Sequence, residues 1–103
     1  MKLKIFRNVK EVKKLLERDR CCSVLVNHNL TLDKDFYDYK DKWWKYYGGY
    51  NNCVIIVGWL LEGTNLHDEY LDRAVNDDLP CSCIREYLIK AIGILQRGTM
   101  DTE

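Results

Sequence analysis

CVIIVGW, residues 53–59, is the stretch whose reading decides the fold. Val54, Ile55, Ile56 and Val57 follow one another, and β-branched side chains favour the pleated surface of a strand. No polar residue interrupts them. The run therefore reads as the strongest strand of the chain, a central one over Val54–Val57.

Working outward toward the N-terminus, the stretch from Asp33 to Gly48 reads as a helix. Phe36, Tyr39, Trp43, Tyr46, Tyr47 and Tyr50 share one face at helical spacing, and Gly48-Gly49 stops it. Ser23–Val26, with Cys22 before it, is a second short apolar run and a second expected strand, broken by Asn27-His28-Asn29. Asn8 with Glu11 has the form of a capping box ahead of Val9, Val12, Leu15 and Leu16, so a helix is expected to run to about Asp19. Lys2–Phe6 alternates polar and apolar residues, as a first strand does. Toward the C-terminus, Thr64 or Asn65 is expected to cap a helix bearing Leu66, Tyr70, Ala74 and Val75. Pro80 then opens a last helix that Gly98 ends.

The order β-α-β-α-β-α-α implies an α/β fold: a small, mostly parallel three-stranded sheet covered by about four helices, in a single domain over residues 1–103. A shift of 31 residues lays CSVLVNHNL (22–30) on CVIIVGWLL (53–61), a weak echo that would suit a duplicated helix–strand unit.

Charge is balanced overall, yet segregated. Residues 1–20 carry eight Lys/Arg against three Asp/Glu, and residues 61–79 carry six Asp/Glu against Arg73 alone. With no net positive charge, the better reading is that these segments complement each other within or between chains. Five cysteines, an odd number with two of them adjacent, argue against a secreted disulfide framework and for reduced thiols in the cytoplasm. The apolar run Cys53–Leu61 falls far short of the roughly 20 residues a membrane span needs. The basic first segment lacks the apolar core of a signal peptide.

LHDEYLDRAVNDDLPCSC, residues 66–83, contains H-x-E at His67 and Glu69 and then Pro80-Cys81, fragments of a zinc-deaminase signature. The separation between the halves is too short for the helix and strand that must lie there. Cys81 and Cys83 also stand one residue apart rather than two, so on a helix they diverge by roughly 200°. The likeness is one of short strings. Neither that pair nor Cys53 with His67 has metal-ligand spacing, so no metal and no cofactor are expected. Gly48-Gly49, Gly58 and Gly63 make no phosphate-binding loop. No catalytic residue is assigned.

Two constellations remain. In an open parallel sheet, ligands sit beyond the carboxyl ends of the strands. Arg7 and Asn8, then Asn27, His28 and Asn29, then Trp59 would stand there as a possible ligand pocket, although Asn-His-Asn also suits a plain turn. On the aromatic helix, Tyr37 and Trp44 lie at the edge of the core stripe, seven residues apart, where binding hot spots form unless the last helix covers them. The expected function is a cytoplasmic protein-interaction module that binds another protein and forms a homodimer, with Tyr37 and Trp44 at the interface. Few Ala and Pro beside many Lys, Asn, Ile and Tyr is the bias of an AT-rich genome and suits a microbial or viral accessory protein. The alternatives are a small-ligand binder or enzyme using the Asn27–Asn29 loop, and a nucleic-acid binder using Lys10, Lys13, Lys14 and Arg18. The balanced charge argues against nucleic acid.

Overall fold

The computed structural model describes residues 9–18 and 32–101. They form five helices: α1 (Val9–Arg18), α2 (Lys34–Tyr47), α3 (Asn52–Leu61), α4 (His67–Val75) and α5 (Cys81–Asp101). Among the described residues there is no strand, so the expected α/β fold with a three-stranded sheet is corrected to a small helical bundle. The expected strands at Lys2–Phe6 and Ser23–Val26 lie outside the described residues. The third, Cys53–Trp59, is the middle of α3. The helix–strand unit suggested by the 31-residue echo is likewise absent at 43–61, where α2 is followed directly by α3.

A run that is apolar on every side fits a strand buried on two faces or a helix buried all round, and periodicity does not separate them. Two local features favour the helix. The run continues through Leu60 and Leu61, beyond the usual length of a strand. Ahead of it stands Asn51, whose side-chain oxygen accepts a hydrogen bond from the Val54 amide at 3.3 Å and caps the first turn. Against this, each β-branched residue costs up to about 0.7 kcal/mol relative to alanine in a helix. Burying such a side chain contributes about 1.5–3 kcal/mol, so tertiary packing wins.

That packing is complete. All residues from Cys53 to Leu61 are buried, and α3 lies against α5, α2 and α4. α2 also rests on α4, and α1 rests on α5 through the buried Val12 and Leu16. Ile56→Ala is expected to destabilise the protein by about 3 kcal/mol, the usual cost of emptying a buried isoleucine site. Urea denaturation measures it, and an unchanged midpoint would remove α3 from the core.

α2 follows from its local sequence. The Asp33 carboxylate accepts from the Phe36 amide at 3.3 Å, and Gly48 ends the helix at φ 53°, a positive φ that glycine adopts without a Cβ penalty. α3 ends at Leu61; Gly63, two residues on, has a positive φ of 88°, and Thr64 Oγ1 donates to the Leu61 carbonyl at 2.7 Å. α4 begins later than Thr64 or Asn65 would have set it. Its flanking residue Leu66 offers no side-chain cap, although the Leu66 amide reaches Thr64 Oγ1 at 3.2 Å. Pro80 does stand just before α5, but Gly98 does not end that helix, which runs to Asp101. Mid-helix glycine costs only about 1 kcal/mol, too little to stop a helix by itself.

Candidate interaction surface

Tyr37 and Trp44 remain on one flank of α2, 52% and 53% exposed. The last helix, α5, packs instead on α3 and α1. Trp59 is placed differently from the strand-end position. It is buried in α3, stacks edge-on to Phe36 at 5.5 Å, and donates its indole N–H to Asp35 Oδ2 at 2.9 Å. Arg7, Asn8, Asn27, His28 and Asn29 lie outside the described residues, as does the loop they would form.

Beneath the core stripe of α2 runs a buried polar chain. Tyr39 Oη lies 2.6 Å from Tyr47 Oη and 2.6 Å from His67 Nε2. Tyr39 has one hydroxyl proton, so it donates in one of these bonds and accepts in the other. Burial first, and then the neighbouring Tyr47 hydroxyl, push the Tyr39 phenol far above its ordinary range. Burial also raises Tyr47, against a smaller opposing effect of the hydrogen bond from Tyr39, which steadies a Tyr47 phenolate. The two hydroxyls stay protonated at neutral pH and hold α2 to α4. Gly58 makes room for them, because a Cβ there would fall on Tyr47 Oη.

His67 is thereby held in the interior between α2 and α4. It is 7% exposed, bonded to Tyr39, and set edge-on to Trp43 with ring centroids 5.3 Å apart. Cys81 is exposed at the start of α5, and Cys53 is buried in α3. Among the described residues, no three His, Cys, Asp or Glu side chains converge as a metal site would require. Nor is any described helix long and apolar enough to cross a membrane.

On the other flank of α2, a shallow groove of about 420 Å³ opens against α4. Trp43 and Tyr46 form one wall, and Asp68, Leu71, Asp72 and Val75 form the other. Tyr46 is 46% and Val75 58% exposed, so the rim of the groove is apolar and open to solvent. Asp68 and Asp72 lie one helical turn apart and make no ion pair with any described residue. The Trp43 indole N–H is buried without a hydrogen-bond partner, and Lys42 Nζ stands 5.2 Å from the Trp43 ring centroid.

A second cleft, between α4 and α5, is smaller, about 100 Å³. Glu69, Arg73, Glu86 and Lys90 line it with balanced charge, and Arg73 donates toward Cys83 Sγ at 3.5 Å. Space for a few waters and no net field give it little to hold a ligand with. The groove eluded the sequence because it requires α2 and α4 to be neighbours. The one signal was the pairing of Asp68 with Asp72 and of Leu71 with Val75 at four-residue spacing on one helix. No protein-family model matches the chain, and neither a curated protein nor a solved structure matches it.

Proposed function

We propose that this protein is a cytoplasmic interaction module that binds another protein and self-associates, using the aromatic residues that α2 leaves outside the core. The observation that carries the reading is the half-exposed pair Tyr37 and Trp44 on one flank of α2. Large aromatic side chains bring contact area at low entropic cost and dominate interface energetics when a partner desolvates them. A chain this small gains nothing for its own core by leaving them out. The odd number of cysteines suits a reducing compartment.

The test compares baits. Wild-type protein and a Tyr37→Ala/Trp44→Ala variant are used to capture partners from host extract, with quantitative mass spectrometry of what each retains. A discrete protein retained by the wild type and depleted ~tenfold or more by the double substitution is expected. Both substitutions are at exposed positions, so an unchanged helical circular-dichroism spectrum should accompany the loss. Equal retention by the two baits would refute the role of this flank.

A further inference from the structure

We propose that the groove between α2 and α4 receives the lysine face of α1 from a second copy of the chain. The inference rests on the self-association just proposed and places it on the opposite flank of α2, leaving Tyr37 and Trp44 to the other protein. On the groove side, two carboxylates one turn apart, Asp68 and Asp72, face aromatic walls supplied by Trp43 and Tyr46. That combination suits a long cationic side chain, whose methylene stem covers apolar surface while its head meets a carboxylate or the face of a ring. Lys42, lying over Trp43 within one chain, shows the same affinity on a small scale.

The matching cations are on α1. Val12 and Leu16 turn inward, and Lys10, Lys13 and Lys14 are exposed on the opposite face. Lys10 and Lys14 are four residues apart, the spacing of Asp68 and Asp72, so each pair spans about 6 Å along its helix axis. Two antiparallel or parallel helices can therefore join both pairs at once. Within one chain they do not meet. α1 packs on α5, whereas the groove lies between α2 and α4, and none of the three lysines forms an ion pair with a described residue.

Among the described residues, opposite charge thus stands unpaired at two separate places on one molecule. A two-fold axis satisfies both places twice, groove to helix and helix to groove, and closes the assembly as a dimer. Tyr46 and Val75 then lose their exposure to water. The like charges also forbid the alternative in which groove faces groove.

Charge reversal tests this on the full chain by sedimentation equilibrium. One variant carries Asp68→Lys and Asp72→Lys, and the other carries Lys10→Glu and Lys14→Glu. Wild type is expected to dimerise at micromolar concentration, ~tenfold or more weakly in ~0.5 M than in ~0.05 M salt. Each variant alone opposes like charges and should remain monomeric, while an equimolar mixture of the two should dimerise again. If reversal perturbs folding by circular dichroism, the pair Asp68→Asn/Asp72→Asn is read instead and must weaken the dimer. A wild-type monomer would overturn both this pairing and the self-association. A dimer that survives either reversal, or folded variants that fail to associate when mixed, would overturn the pairing alone.

Discussion

Replacing Gly58 with alanine is expected to destabilise the protein by about 4 kcal/mol or more, at the extreme end of single substitutions. In an exposed helix the same change stabilises by about 1 kcal/mol, because alanine has the higher helix propensity. Here the sign reverses for a local reason. The new Cβ would overlap Tyr47 Oη and come within 2.8 Å of both Tyr39 Oη and Tyr47 Cζ. Neither ring has an open direction in which to move, since Tyr39 and Tyr47 are 3% and 1% exposed and Tyr39 is bonded to His67 as well. Either α2 lifts from α3 or the buried hydroxyl chain breaks, leaving polar atoms without partners. Urea denaturation gives the magnitude, and a double-mutant cycle identifies the cause. Tyr47→Phe removes the oxygen that collides, so Gly58→Ala should cost at least ~1 kcal/mol less in that background. A stabilising Gly58→Ala would show that α2 and α3 are not in this close contact.

Gly58 also shows why part of this fold was legible and part was not. α2 could be placed to within a residue because its signals are local: an Asp33 cap, apolar residues at helical spacing and a glycine stop. Trp44 and Tyr37 could be placed at the core edge by the same angular reasoning. α3 could not, because a segment surrounded by protein has no polar face to reveal its period. The β-branched preference of Val54–Val57 is real but weaker than the burial that overrides it. The length of the apolar run and the cap at Asn51 were the available corrections. A glycine within a supposed strand reads as a bulge, whereas Gly58 answers to two tyrosines from another helix. The groove and the partnership of His67 with Tyr39 depend on which helices are neighbours, information that a linear pattern does not hold.

Alkaline pH is expected to unfold the protein through the same buried chain. An unfolded tyrosine ionises near pH 10, and Tyr39 and Tyr47 are both raised well above that in the folded protein, chiefly by burial. Below pH 10 folded and unfolded chains bind the same protons at these groups, and their contribution to stability is fully present. Above it the unfolded chain loses protons that the folded chain keeps, so stability falls as pH rises. Each such group removes about 1.4 kcal/mol per pH unit until its own folded pKa is reached. For the pair, that is about 5 kcal/mol by pH 12, comparable with the whole stability of a domain this small. Tyr50 and Tyr87, also raised chiefly by burial, act in the same direction. Tyr47 should ionise before Tyr39, because its phenolate can still accept the Tyr39 proton, whereas Glu62 opposes charge on either ring. The check is the urea midpoint measured from neutrality to about pH 12. It should be level at first and then descend steeply above pH 10, and Tyr47→Phe should flatten the descent by about 1.4 kcal/mol per unit. A midpoint that stays level throughout would mean that the two hydroxyls ionise as freely in the folded chain as in the unfolded one, and that the core between α2, α3 and α4 is open to water.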